Sequence, residues 1–346
     1  MHPDQVPPAQ KAPGSEVSAG EAVVAMGHAV VDVLAPSPDR LLRELGLTKG
    51  TMTLVEGTDA ERIYAALGPA TEASGGSAAN TAACLASLGT PCRFVGKVAS
   101  DTLGGVFAHD LRAAGVRFDC PAAGGGSTGR SLVLVTPDGE RTMCTDLGVG
   151  ATLSPSEVPA EAVRSAQVLY VEGYLYGKQP TGAAVDAAVS LARQAGTLVA
   201  FSASDPGWAA VVLGDMRILL DQVDLLFANE AEALLLSGSR DVESALSALG
   251  GHCPSVVVTR GAAGCVVASG GEVHHVPAAP TPAVVDTTGA GDSFAAGYLH
   301  GLVSGLGPRD SARLGALVAA EVVGHLGARP LAPLGDLIPA PGATNG

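Results

Sequence analysis

Gly289, Ala290 and Gly291 stand directly before a carboxylate, Asp292, within the run DTTGAGDSF at residues 286–294. Phe294, Ala295, Tyr298, Leu299 and Leu302 follow with helical spacing. A glycine-rich turn feeding a helix presents unpaired backbone N–H groups at the positive end of the helix dipole, which suits a phosphate or another anion. Asp292 would repel that anion unless it takes the proton from a group about to attack it, so the run points to phosphoryl transfer. A second glycine-rich run, Gly75-Gly76-Ser77-Ala78-Ala79-Asn80, precedes another helical segment at 78–88. Gly75 and Gly76 let a backbone approach a ligand closely, and Asn80 offers both a donor and an acceptor. The same run also reads as an ordinary turn with Ser77 capping the helix.

Other nucleotide-binding motifs are absent. None of the four lysines, Lys11, Lys49, Lys97 and Lys178, is followed by Ser or Thr, which excludes a P-loop. Phe294 stands where a third glycine would complete a dinucleotide fingerprint. The 346 residues carry a formal net charge of −14, which leaves no basic surface for DNA, RNA or anionic lipid. Six cysteines form no C-x-x-C pair and lie in apolar runs, where they read as buried free thiols. With no signal-peptide pattern and no apolar span of membrane length, the expected location is the cytoplasm.

These candidate residues must be positioned by an alternation of strands and helices. Residues 1–20, rich in Pro, Ala and Gly, read as a disordered tail. A strand at 22–26 follows, and an extended piece at 30–34 is read as its continuation past Gly27-His28. Two β-prone runs at 131–136 and 142–146 flank Pro137-Asp138-Gly139-Glu140, a hairpin signal. Beyond them, short apolar strands at 168–171, 198–201, 223–227 and 255–259 alternate with helical stretches at 183–194, 208–220 and 230–249, the last broken at Gly238. Such alternation predicts a parallel sheet covered on both faces, with its site at the carboxyl ends of the strands. The expected organisation is a single α/β domain over 21–340, with lid elements within about 33–60 and 118–148.

GGSAANTAACLASLG and DTTGAGDSFAAGYLHGL closely resemble the paired signatures of the ribokinase (PfkB) family of carbohydrate and nucleoside kinases. Their order and spacing match, and the resemblance runs from about Ala22 to Pro330. GHAVVDV at 27–33, TPDGERTM at 136–143, ANEAEA at 228–233 and HLGARP at 325–330 are most similar to the adenosine kinase branch. The resemblance implies a ribokinase-like doubly wound, mainly parallel sheet with helices on both faces and a small β-rich lid. It implies that Asp292 is the catalytic base, that Gly289, Ala290 and Gly291 form the anion hole, and that Asp32, Gly75, Gly76 and Asn80 bind the sugar, with His28 beside them. Adenosine kinases usually carry Asn where this chain has His28. The same resemblance places ATP against Thr259, Arg260, Gly261 and Gly264, and Mg²⁺, through water, near Asn229 and Glu232. Arg141 either closes over the phosphates or is a surface arginine. Asp286 falls in a region that relatives use for a monovalent cation such as K⁺.

The expected activity is an ATP- and Mg²⁺-dependent kinase acting on a primary hydroxyl of a nucleoside, adenosine first. The alternative is a kinase of ribose, fructose or a ketodeoxy sugar acid. A silent ligand-binding relative would be free to lose Asp292 and its glycines, and this chain keeps them. Relatives include monomers and lid-paired dimers, so either assembly fits.

Overall fold

The computed structural model describes residues 21–337, so the segment read as a tail lies outside the described residues. The strands run β1 (Val23–Met26), β2 (Val30–Pro36), β3 (Met52–Leu54), β4 (Thr71–Gly75), β5 (Cys92–Val95), β6 (Thr128–Val135) and β7 (Arg141–Gly148). They continue as β8 (Val168–Glu172), β9 (Leu198–Ser202), β10 (Leu225–Asn229), β11 (Ser255–Thr259), β12 (Cys265–Ser269) and β13 (Glu272–Val276). Eight strands make one sheet in the order β13-β12-β11-β10-β9-β8-β1-β5, and the other five make a second sheet in the order β3-β7-β6-β2-β4.

The large sheet is parallel from β5 to β11, and β12 and β13 continue it antiparallel. Its central parallel strands are apolar on both faces because both are covered, whereas the edge strand β13 is polar and largely exposed. Val23, Ala25, Val168 and Tyr170 pack into one core with the helices Ser77–Ser87, Ala290–Val303 and Pro308–Val322. Val24, Met26, Leu169 and Val171 pack into the opposite core with Thr181–Ala195, Glu230–Ser237 and Val242–Leu249. This explains why no polar alternation marks these strands in the sequence.

The small sheet does alternate. Val33, Leu132, Leu134 and Cys144 face a core shared with Leu42, Ala60 and Ile63 of the short helices Asp39–Leu45 and Gly57–Ala66. The opposite face carries Asp32, Ser131 and Thr145 in one row across β2, β6 and β7, by register. The period of two thus gives this sheet a dry side and a side open to the cavity.

Two expectations are corrected. The piece at 30–34 does not continue the first strand: β1 belongs to the large sheet, and β2 pairs with β4 and β6 in the small one. Between them, position 27 has room only for glycine, since a Cβ there would lie 2.3 Å from Glu172 Oε2. The helical stretch at 208–220 is two helices, Pro206–Val211 and Leu213–Leu220, joined at Val212 with φ −115° and ψ 24°. The hairpin around 137–140 is present as β6 and β7, which pair antiparallel.

Candidate active site

The carboxyl ends of five parallel strands converge on one cavity of about 480 Å³. His28 follows β1, Glu172 ends β8, Ser202 ends β9 with Ser204 just beyond it, Asn229 ends β10 and Thr259 ends β11, and all of them line it. Opposite them lies the open face of the small sheet, with Asp32, Ser131 and Thr145 beside Met52, Leu54, Met143 and Leu147. Ser77, Asn80 and the run Thr287 to Asp292 complete the wall.

The run around Asp292 folds as the sequence suggests. Gly289 takes the left-handed conformation, φ 74°, as the N-cap of the helix Ala290–Val303, and no side chain caps that end. Gly289, Ala290 and Gly291 therefore bring an uncapped helix N-terminus to the cavity. A Cβ on Gly289 would lie 2.7 Å from Ala328, so the turn requires glycine for space as well as for φ. Asp292 Oδ1 accepts from Ser77 Oγ at 2.6 Å, and Oδ2 accepts from Asn80 Nδ2 at 3.1 Å. Burial raises the Asp292 pKa, while those two hydrogen bonds and the Arg329 cation pull it back. The two glycine-rich runs, some two hundred residues apart, thus meet at one carboxylate.

The second run is shaped by contact. Gly76 has φ 94°, and a Cβ there would lie 2.4 Å from the His28 carbonyl. A Cβ on Gly75 would lie 2.3 Å from Asp32 Oδ2, so that glycine makes room for the carboxylate. Burial pushes Asp32 up to about 6 against the pull of Arg329 and Arg141. His28 is buried and pushed down to about 4, hence neutral, with Nδ1 enclosed and unpartnered.

The remaining expected residues divide. Asn229 and Glu232 both line the cavity and close a capping box: Asn229 Oδ1 accepts from the Glu232 N–H at 2.9 Å, and Glu232 Oε2 accepts from the Asn229 N–H at 2.8 Å. Burial, reinforced by nearby Asp205, pushes Glu232 up to about 7, the state of a carboxyl that a cation would stabilise. Among the described residues no group of three or more metal-ligating side chains is assembled. The set therefore suits a cation held largely through water and phosphate oxygens, as Mg²⁺ permits. Thr259 lines the cavity, but Arg260, Gly261 and Gly264 do not. Arg260 pairs with Glu230 at 2.9 Å, and Gly264 is glycine because a Cβ would lie 2.1 Å from the Val276 carbonyl. Arg141 is partly buried and does not line the cavity; its guanidinium donates to Asp286, whose carboxylate also accepts from Thr288 and the Gly327 N–H.

Sequence reasoning missed Glu172 and Arg329. Glu172 is almost fully buried and accepts from the His28 N–H through Oε1 and from the Ala78 N–H through Oε2, both at 2.8 Å. Its signal was an acid closing an otherwise apolar strand, VLYVE. Arg329 donates from Nε to Asn80 Oδ1. It lay inside HLGARP, where nothing local marks it.

Residues 60–334 match the family described as pfkB family carbohydrate kinase, which is most of the chain. The chain belongs to the PfkB family. It is therefore a phosphotransferase acting on a hydroxyl group, a sugar or nucleoside kinase of a family that uses ATP, generally with Mg²⁺. The fold is shared at TM-score 0.87 with the crystal structure of adenosine kinase from Sinorhizobium meliloti, at 41% identity over 92% of this chain and 98% of that one. A fructokinase of Klebsiella pneumoniae is 33% identical over 66% of this chain and 77% of its own length. An ATP-dependent ribose-1-phosphate kinase of Halopiger xanaduensis is 34% identical over 66% of this chain and 73% of its own. Among the described residues no helix is long and apolar enough to cross a membrane.

The crowd of buried carboxyls in this PfkB site makes stability depend on pH. Asp32, Glu172, Glu232 and Asp292 are all raised by burial, the first to about 6 and the next two to about 7. Each binds its proton more tightly when folded, so its contribution is complete below the unfolded carboxyl range and is lost as pH rises through the folded value. His28 and His300, lowered by burial, oppose this, but they are two against four. Thermal melting of the unliganded protein should give a Tm that falls between about pH 5 and about pH 7. A Tm that rises over that interval would show the carboxyls ionised throughout.

Proposed function

We propose that this PfkB kinase phosphorylates the primary hydroxyl of a nucleoside, adenosine giving AMP being the leading case. The observation that carries the reading is the two-sided substrate wall. Asp32 offers a carboxylate to a vicinal diol, and beside it Met52, Leu54, Met143 and Leu147 form an apolar patch on the same small sheet. A free sugar needs polar partners around its whole edge, whereas a nucleoside has a flat, weakly solvated base to bury. The adenosine kinase of Sinorhizobium meliloti, 41% identical, supports the same substrate.

On this reading the site residues divide the work. Gly289, Ala290 and Gly291 receive the γ-phosphate of ATP, and the uncapped helix end stabilises the charge that builds there. Asp292, held by Ser77 and Asn80, keeps a free lone pair for the acceptor. Its carboxylate takes the hydroxyl proton as the hydroxyl oxygen forms its bond to the γ-phosphorus. The bond from that phosphorus to the β,γ-bridging oxygen breaks, and ADP leaves with the electron pair. Mg²⁺ near Glu232 and Asn229 would offset the phosphate charge.

A sugar substrate is the second reading, favoured by the fructokinase relative and by the polar row of Asp32, Ser131 and Thr145. A panel of adenosine, other nucleosides, ribose, fructose and a ketodeoxy sugar acid, with ATP and Mg²⁺, separates the two. The expected result is a kcat/KM for adenosine at least about 100-fold above that for any free sugar. Turnover of free sugars without any nucleoside would overturn the substrate and leave the kinase intact.

A further inference from the structure

Arg329 sits in the turn after the helix Pro308–Val322, and three contacts tie that turn to the site. The Gly327 N–H donates to Asp286 Oδ2 at 2.8 Å, Ala328 packs against Gly289, and Arg329 reaches into the wall behind Asn80. Arg329 Nε donates to Asn80 Oδ1 at 3.2 Å, Nη1 donates to Ser74 Oγ at the end of β4, and Nη2 is enclosed with no partner. Ser74 Oγ in turn donates to Asp110 Oδ2 at 3.1 Å.

A guanidinium has donors only, so the atom of Asn80 that meets it must be the carbonyl oxygen. The Asn80 amide nitrogen must then face Asp292, where it donates to Oδ2. Arg329 thereby decides which way the carboxamide points. It is also the cation opposite a group of acids. Asp32 from β2 and Glu172 from β8 face Asp292 with like charge, and its hydrogen-bond partners Ser77 and Asn80 are neutral. Tyr170 and Cys84, buried beside it, stay protonated. Arg141, the other guanidinium acting on Asp32, is engaged by Asp286.

We propose that Arg329 is a positioning residue for phosphoryl transfer: it locks the Asn80 carboxamide that holds Asp292 and supplies the positive charge facing that carboxylate. The proposal rests on Asp292 being the base.

The test is the pH profile of kcat, measured with whichever acceptor the enzyme turns over, for the wild type, Arg329→Met and Arg329→Lys. Arg329→Met is expected to lower kcat by about 10- to 100-fold and to move the acid limb to higher pH, because Asp292 loses its cation. Arg329→Lys keeps the limb near its wild-type position and recovers only part of the rate, since an ammonium cannot bridge Asn80 and Ser74 with a planar fork. In an Asp292→Asn background, Arg329→Met should cost less than about 3-fold more, the signature of one residue acting through the other. An acid limb unmoved in Arg329→Met, or the full loss repeated in the Asp292→Asn background, overturns the proposal. Undiminished turnover of Asp292→Asn alone would instead overturn the base assignment beneath it.

Discussion

Asp292→Asn lowers kcat by about 10²- to 10⁴-fold while leaving the affinity for ATP nearly unchanged. The substitution is close to isosteric: its oxygen can accept from the Asn80 amide while its own amide donates to the Ser77 hydroxyl, so the helix N-terminus stays in place. What it removes is the atom that takes the proton, and an amide cannot replace it. In the proposed mechanism the phosphate is received by backbone at Gly289, Ala290 and Gly291, an uncapped helix start that the substitution does not touch. Separate measurement of single-turnover rates and nucleotide binding distinguishes the two effects. A rate within a few-fold of wild type would remove Asp292 from the chemistry. Because burial raises the Asp292 pKa, the wild-type rate should also fall on the acid side at a higher pH than an exposed aspartate would give.

Glu172→Leu is expected to cost about 2–6 kcal/mol of folding stability, since it leaves two buried N–H groups without an acceptor at about 1–3 kcal/mol each. Those groups belong to His28, on the crossing from the large sheet to the small one, and to Ala78, in the first turn of the helix Ser77–Ser87. Loss of the carboxylate therefore frees both loops that carry the expected sugar ligands, Asp32 on one side and Asn80 on the other. The acceptor KM should rise by about 10-fold or more, with the KM for ATP much less affected. Denaturant unfolding and the two KM values provide the check. An unchanged acceptor KM in a destabilised protein would confine Glu172 to a structural role. Glu172→Gln is the milder partner: it keeps one acceptor oxygen and turns a donor toward the other N–H.

The sequence showed the second half of the molecule more clearly than the first. Strands at 198–201 and 255–259 were legible because a strand covered on both faces is apolar throughout, and short runs bounded by turn residues stand out. The crossing at Gly27 was not legible. Val23 to Met26 and Val30 to Leu34 are both β-prone, and only their strand partners show that they enter different sheets. Asn229 and Glu232 were readable as a pair at i and i+3. Their mutual capping box needed coordinates, because the same spacing serves a cap and a metal site equally well. Thr259 was placed at the cavity, whereas the nearby Gly264 is a glycine because the chain passes close to β13.

The run DTTGAGDSF by itself determined the reaction class, since an uncapped glycine turn, a helix start and an acid are all local features that nine residues can encode. Which partners hold that acid was decided only in three dimensions. Ser77 and Asn80 come from a run more than two hundred residues earlier, and Arg329 comes from a turn after the next helix. The substrate wall is likewise tertiary: Met52, Leu54, Met143 and Asp32 are unremarkable in sequence and become one surface through the strand register of the small sheet. Local propensity is written along the chain, but the charge and shape around a buried carboxylate are the sum of distant segments, and only packing brings those together.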